Sequence, residues 1–324
     1  MAGPGTAYLV AVAAVLVIGA TGSVESGPLA LAILVSAHLA LVGLILLPIL
    51  AATRSRSLGV ALLTVALLFV GRFGGEWVSL PPASAPGAAL HIATWNLDYL
   101  QRTGPDAVQM LRERPVDLVA LEELSPEVAD AIAADPVLAA TYPYQALDPG
   151  AGATGMGILS RYPLVGPAYD LAPARLEARI DVNGGPIDVV AAHPFPARFR
   201  TRGGNPLGYE PAQRNADLKF LRDHVEQLAA GDGGRVLLLG DFNTAPTEAA
   251  FGRLTAGLHD AHAEVGLGPG WTWRPEPLDF IGFGLLRIDL ILSTGELRPL
   301  ATALHCPLDG DHCLLEATIS IAGG

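Results

Sequence analysis

Lysine is all but missing from this chain: its 324 residues hold one, Lys219, so nearly all of the positive charge is arginine. Twenty basic residues face 32 acidic ones, and the net charge is −12. Binding nucleic acid at physiological salt depends on many lysine and arginine contacts to phosphate, so this balance argues against a dedicated nucleic-acid binder. Cysteine is equally scarce. Cys306 and Cys313 stand alone, and no closely spaced His/Cys cluster of the zinc type is present. The first apolar run also lacks the positively charged start of a secretory signal peptide.

Hydrophobicity is what the chain has in excess. Hydrophobic residues make up 51% and the mean hydropathy is +0.40, too apolar for an ordinary soluble enzyme of this length. The excess lies before residue 88. Residues 28–52 form an uncharged run, long enough to cross about 30 Å of hydrocarbon. Two shorter runs, 7–20 and 58–70, are extended by flanking Gly, Thr and Ser. The expectation is a transmembrane region over residues 1–78 with about three helices, 6–22, 28–52 and 57–76, or two as the alternative. Arg54 and Arg56 lie between the second and third runs, whereas the first loop holds only Glu25. The positive-inside rule then puts residues 53–57 in the cytoplasm and everything after the third span outside. The chain reads as a multi-pass cell-membrane protein with an extracytoplasmic domain. Trp77 suits the outer interface, with Arg72 snorkelling toward it. His38, midway along the second run, suggests a helix-to-helix hydrogen bond. Residues 79–90, rich in proline, read as a short stiff linker that keeps the following domain near the bilayer.

Residues 91–324 are enough for one substantial core. Here a series of apolar runs ends in polar residues. Val236-Leu237-Leu238-Leu239-Gly240 leads into Asp241-Phe242-Asn243, and Ile92-Ala93-Thr94-Trp95 leads into Asn96-Leu97-Asp98. A buried run from Val116 ends in Glu122-Glu123, another from Ile187 ends in His193, Asp289 sits inside Arg287–Leu292, and Asp311-His312 precedes the final run. Any one of these reads equally well as a turn or a cap. Together they predict one edge of a sheet assembly where carboxylates, amides and imidazoles converge. Oxygen donors of this kind suit Mg²⁺ or Mn²⁺ rather than zinc. A cation beside acid–histidine pairs can neutralise charge on a phosphate while a carboxylate activates water.

The order Asn96, Glu123, His193, Asp241-x-Asn243, Asp289, Asp311-His312, with the stretch GMGILSRYPL at 155–164, resembles the endonuclease/exonuclease/phosphatase superfamily from about residue 90 to about 321. The resemblance implies an α+β protein: a four-layer α/β/β/α sandwich of the DNase-I-like fold, here preceded by the helical transmembrane region, with its active site at one rim. It implies that Glu123, with Asn96 and Asp98 near it and Asp311 assisting, holds the metal, while Glu122 occupies a position usually held by Gln. Asp241 would activate the water with Asn243 orienting it. His193, and His312 oriented by Asp289, would stabilise the phosphoryl group. Arg198, Arg200 and Arg202 follow His193 on an expected rim loop and suit a phosphate clamp or contact with anionic headgroups. The turn His193-Pro194-Phe195-Pro196 resembles membrane-tethered bacterial members, including those linked to glycopeptide resistance. The sequence therefore points to a membrane-anchored, metal-dependent phosphoesterase acting on phosphate esters or pyrophosphates of envelope lipids, with no obligate protein partner evident. The alternatives are an extracytoplasmic nuclease and a catalytically inactive binding module. Cys306 and Cys313 bracket the Asp311-His312 loop, either as a disulfide or as buried thiols.

Overall fold

A computed structural model describes residues 3–79, 88–100, 102–183, 185–202, 205–231, 234–278, 280–308 and 310–321. The core of the 79–90 linker, residues 80–87, lies outside the described residues.

Five helices come first: α1 (Pro4–Ala20), α2 (Gly27–Leu34), α3 (Ser36–Val42), α4 (Leu47–Thr53) and α5 (Arg56–Trp77). A 3₁₀ turn at Gly43–Leu46 joins α3 to α4. The apolar run 28–52 is therefore not one straight helix. Val35 leaves helical geometry at φ −98° and ψ 17°, and α2 is bent by 63° from the stretch Ser36–Leu50. By length and composition α5 is able to cross a membrane, the bent pair passes the same test as one unit, and α1 at 17 residues is shorter. Ser55 caps α5 by accepting from the Leu58 amide. The two ends of this layer differ. Near its start, Gly5 packs against Leu46 and Leu58. At the other end Gly22 meets Ala249, and Trp77 stands edge-on to Trp271 at 5.6 Å. Arg72 donates to the Pro246 carbonyl at 2.8 Å, so it reaches the following domain rather than solvent. His38 makes no helix-to-helix hydrogen bond: both its ring nitrogens are buried without a partner, and the ring stacks on Trp271 at 4.5 Å. The aromatic face offered by Trp271 takes the place of the polar partner that a lone histidine in an apolar run leads one to expect.

The strands follow as β1 (Ala88–Asn96), β2 (Leu118–Glu122), β3 (Tyr144–Asp148), β4 (Met156–Ser160), β5 (Val165–Leu171), β6 (Ala174–Val182) and β7 (Gly185–His193). After them come β8 (Arg198–Arg202), β9 (Asn205–Glu210), β10 (Val236–Asp241), β11 (His259–Asp260), β12 (Asp289–Ser293), β13 (Leu297–His305) and β14 (Leu314–Ile321). They build two six-stranded sheets, β13-β14-β1-β2-β4-β3 and β11-β12-β10-β7-β6-β5, with β8 and β9 as a separate hairpin. Every residue of β2, β10 and β12 is buried, which explains their unbroken apolar character. Ile92, Ile158, Ile187, Leu239 and Ile319 belong to the core between the sheets. On the outside, α6 (Gly104–Glu113), α7 (Pro126–Ala134) and α8 (Pro136–Thr141) cover the first sheet with Leu111, Ile132 and Leu138. The second is covered by α9 (Ala212–Ala229) and α10 (Ala249–Thr255) through Leu221 and Phe251. The result is the expected α/β/β/α sandwich.

Strand direction fixes where the chemistry gathers. β1 runs parallel to β2, and β7 parallel to β10, so each sheet delivers two carboxyl ends to the same edge. Register does the rest. Asn96 pairs with Glu122, Asp241 pairs with Asp289 on antiparallel β12, and Thr94 pairs with Leu315 near the start of antiparallel β14, so that the preceding His312 reaches the same edge.

Candidate active site

At that edge the backbone is forced into unusual conformations. Asp98, Glu123 and Asn243 all have positive φ, at 48°, 54° and 51°. Side chains other than glycine rarely adopt this region, and such residues concentrate where a site needs them. Gly240, at φ 145°, has no alternative: a Cβ there would sit 2.0 Å from the Ala192 carbonyl oxygen of the neighbouring strand. The absence of a side chain lets β10 pass close to β7 and brings Asp241 level with His193.

Asn96 ties the two sheets together. Its Nδ2 donates to Glu123 at 3.2 Å and to Asp241 at 3.1 Å, while its Oδ1 accepts from the Asp98 amide at 2.9 Å. Asp241 also accepts from the Asn243 amide at 2.8 Å, and Asn243 Nδ2 donates to the Pro194 carbonyl at 3.1 Å. His193 hydrogen-bonds the Ala153 carbonyl through Nδ1 at 2.9 Å, which turns Nε2 toward Asp241 at 3.5 Å and Glu123 at 3.7 Å. His312 lies between two acids, with Nδ1 at 3.0 Å from Asp289 and Nε2 at 3.6 Å from Asp241.

Burial and charge compete here, and charge wins at the histidines. Burial alone would drive the His193 proton off, but Asp241 and Glu123 push its pKa up to about 9. His312 is raised well above its ordinary value for the same reason, Asp289 and Asp241 outweighing burial. Burial likewise opposes ionisation of Asp241, yet His312 and His193 hold its carboxyl below the usual range. Glu122 behaves oppositely: burial, then the Asp289 charge, raise it to about 8, and its Oε1 accepts from Thr94 Oγ1 at 2.9 Å. It is therefore a neutral, Gln-like group at pH 7.

Two donor sets are able to hold a cation. In the first, Asp98, Glu123 and Asp311 crowd one another so that burial and the neighbouring charges of Asp311 and Glu123 raise Asp98 to about 6. One buried oxygen of Asp98 and one of Asp311 have no hydrogen-bond partner, although Trp273 Nε1 donates to the other Asp311 oxygen at 2.9 Å. Orphaned carboxylate oxygens at a site of mutual repulsion are what a hard divalent cation relieves. The second set is Asp241, Asp289 and His312, whose ligating atoms lie within 4.8 Å of one another. Here His312 already bonds Asp289 through Nδ1, and Asp289 is fully buried. The first set fits a metal better.

Both sets border a cavity of about 240 Å³ that Glu123, His193, Asp241, Asn243, Asp311 and His312 line. Arg198 and Arg200 of the arginine cluster do not line it. Phe199 does, and on a strand its neighbours Arg198 and Arg200 face the other way, with Arg200 bound to Glu210 at 2.9 Å. The Arg202 side chain lies outside the described residues. Cys306 and Cys313 are joined in a disulfide that closes the Asp311-His312 loop.

Several contributors were invisible to sequence reading. Arg214, fully buried on α9, donates to the Asn243 carbonyl at 2.7 Å and to Glu248 at 2.7 Å, and so supports the loop after β10. An isolated arginine on an amphipathic helix gives no signal of this. Trp273 and Leu34 are likewise brought to the cavity from segments that carry no motif.

The sequence profile of the Endonuclease/Exonuclease/phosphatase family matches residues 93–312. No significantly similar sequence was found among curated proteins. Among solved structures the chain is similar to a humanized D. rerio TDP2, with 18% identity and a TM-score of 0.58 over 72% of this chain and 99% of that one. It is similar to an endonuclease/exonuclease/phosphatase from Beutenbergia cavernae, with 22% identity and a TM-score of 0.52 over 72% of each chain. A sphingomyelinase C from Streptomyces griseocarneus shares 16% identity at a TM-score of 0.50, over 71% of this chain and 99% of that one. Identities this low speak to the fold, whereas the profile match spans more than half of the chain. The chain belongs to the endonuclease/exonuclease/phosphatase family, and is thereby a metal-dependent phosphoric ester hydrolase.

Proposed function

We propose that this protein is a membrane-anchored phosphoesterase that uses Mg²⁺ or Mn²⁺ to hydrolyse phosphate esters or pyrophosphates of cell-envelope lipids on the extracytoplasmic face. The observation that carries the reading is the joining of a hydrolytic constellation to an apolar helical layer at a single cavity, which both Glu123 and Leu34 line.

Glu123, Asn96, Asp98 and Asp311 would hold the cation, which when bound supplies positive charge to a phosphoryl oxygen and to the attacking water. Asp241, kept ionised by two imidazolium neighbours, accepts a proton from that water, and Asn243 orients it. His193 and His312, held protonated, donate to the phosphoryl oxygens as negative charge builds on them. Asp289 fixes the His312 ring through Nδ1 so that Nε2 faces the cavity. Arg198 and Arg200, on the outward face of the hairpin, would meet anionic headgroups rather than the scissile phosphate.

Membrane anchoring is supported by the surface of the helical layer. Val10, Val17, Leu44, Ile45, Val60, Leu63, Leu67 and Val70 all expose half or more of their surface. Aliphatics on several faces suit lipid contact and not water. One helix, α5, or two if the bent pair counts as one span, is long and apolar enough to cross, and the Glu25 loop and Trp77 abut the catalytic domain, with Glu25 bonded to Arg253, while Arg54 and Arg56 lie at the far end. Leu100, Phe195, Phe283 and Leu308, in loops, and Phe199, on β8, are also exposed. Kinship with the glycopeptide-resistance-linked, membrane-tethered type rests on these features and on the His193–Pro196 turn.

A nuclease is the second reading, since one similar structure is of D. rerio TDP2 with a single-strand DNA product. The net charge of −12 and the single lysine weigh against it. The test is a screen of the purified full-length protein with Mg²⁺ against lipid pyrophosphates, phospholipids and single-stranded DNA. Preferred turnover of a lipid substrate, abolished by chelation, supports the proposal; preferred turnover of DNA overturns it.

A further inference from the structure

The cavity at the active site has two chemically different walls. One carries the carboxylates and imidazoles. The other is apolar, formed by Leu34, Pro196, Ala197, Phe199, Leu286 and Ile288. Leu34 is the surprising member, because it belongs to α2, far outside the residues 93–312 that match the family. It is buried in a cluster with Tyr209, Ala245 and Ile288.

Helix α2 is clamped at both ends. Just before it, Glu25 accepts from Arg253 at 2.6 Å and from Asn215 at 2.8 Å, and Asn215 accepts from Arg214, which in turn holds the Asn243 carbonyl. At its end the Leu34 carbonyl accepts from Thr247 at 3.3 Å. This wall is a fixed part of the site. The bend at Val35 then starts the apolar helical stretch at Ser36. Only Val35 separates Leu34 from that stretch, so the cavity lies beside its start.

We propose that α2 and the β8–β9 hairpin form a groove for the apolar chain of an amphiphilic phosphate ester, with Leu34 and Phe199 setting how strongly the chain is held. The proposal rests on the reading of this cavity as the phosphoester site and adds the part of the substrate it recognises. A nucleobase is the less suitable occupant. Among the described residues that line the cavity there is no arginine or lysine to follow a phosphate backbone. At roughly 30 Å³ for each water-sized group, 240 Å³ holds about eight non-hydrogen atoms. A phosphate takes about half of that space. The groove therefore senses about the first four carbons, beyond which the chain passes out along α3.

The test uses the full-length protein with Mn²⁺ and alkylphosphonates of one to eight carbons, kept below their micellar concentrations. Affinity is read from tryptophan fluorescence, since Trp273 lines the cavity. Kd is expected to fall about two- to fourfold per carbon through the fourth carbon and then to level off, as full or partial burial of each methylene requires. Leu34→Gln should flatten that dependence to under 1.5-fold per carbon. Phe199→Ser should weaken it as well, at a half-exposed position where folding is not at stake. A wild-type protein indifferent to chain length overturns the groove, as does an unchanged dependence in the folded variants. The two readings separate cleanly. Chain-dependent phosphonate binding without hydrolysis of any phosphoester sinks the proposed activity and leaves the groove, whereas hydrolysis without chain dependence does the reverse.

Discussion

Replacing Asp289 with Asn isolates the contribution of the buried acid behind His312. Asp289 is wholly buried and its oxygens lie 3.0 and 3.1 Å from His312 Nδ1. The amide keeps the same volume but supplies a neutral acceptor, so the imidazolium loses one of the two charges that hold it. With about 4 Å between charge centres and an effective dielectric near 20, the Coulomb attraction at stake is about 4 kcal/mol. Desolvation of Asp289 takes back part of it, as the upward shift of its own carboxyl by burial indicates. What remains is the worth of a charge-assisted hydrogen bond, about 1.5–3 kcal/mol, or roughly 10- to 150-fold in kcat. An amide can also turn its NH₂ toward Nδ1 and impose the wrong tautomer, a change worth about 10⁴ at a comparable acid–histidine pair. The expected loss in kcat lies between these limits. Hydrolysis of bis(p-nitrophenyl) phosphate with saturating Mg²⁺ between pH 6 and 9 measures it, with thermal unfolding to confirm that the variant is folded. Because the substitution lowers the His312 pKa, the loss should deepen as pH rises. A folded variant with kcat within about threefold of wild type at pH 8 refutes the assignment of His312 as a charged phosphoryl ligand.

Four further outcomes are expected. Glu123→Gln and Asp241→Asn should each lower kcat by orders of magnitude, whereas Glu122→Gln should keep most of it. Glu122 is raised from 4.5 to about 8, so its protonated form stabilises the fold fully below about pH 4.5 and that stabilisation is lost as pH rises through about 8. Between about pH 4.5 and 8 the wild type should lose stability by up to about 1.4 kcal/mol per pH unit relative to Glu122→Gln and level off above pH 8, read from melting curves; parallel curves across that window would show that Glu122 is already ionised. Arg214→Met leaves the Glu248 carboxylate and the Asn243 carbonyl without their buried partner, with an expected cost of about 3–5 kcal/mol in denaturant unfolding; a change under about 1 kcal/mol would exclude a supporting role. In intact cells a membrane-impermeant maleimide should label Ser84→Cys and not Ser55→Cys if the proposed topology holds, since Arg54 and Arg56 would then keep their loop in the cytoplasm. The reverse pattern would overturn the extracytoplasmic placement.

The sequence by itself determined the sandwich and the identity of the polar groups at its edge. Buried strands such as Val236–Asp241 must be apolar throughout and must stop where chemistry begins, so their ends announce Asn96, Glu123, His193 and Asp241 without reference to any partner. It also determined that the first quarter is apolar, since hydrophobicity is a property of the residues alone. What it left open depends on distance across the chain. Whether Cys306 and Cys313 bond is decided by how the loop closes. That Arg198 and Arg200 face away while Phe199 faces in follows from which side of the hairpin meets the cavity. The partner of His38 is an indole 233 residues away in sequence, and the support for Asn243 is an arginine on another helix. The bend at Val35 is the sharpest case. Composition favours one straight helix over 28–52, and only the surface offered by Tyr209, Ala245 and Ile288 gives α2 a better place to bury Leu34, against the active site rather than among the other helices. Local pattern fixes which groups a strand or helix carries; which groups meet is set by the packing of elements that the sequence separates.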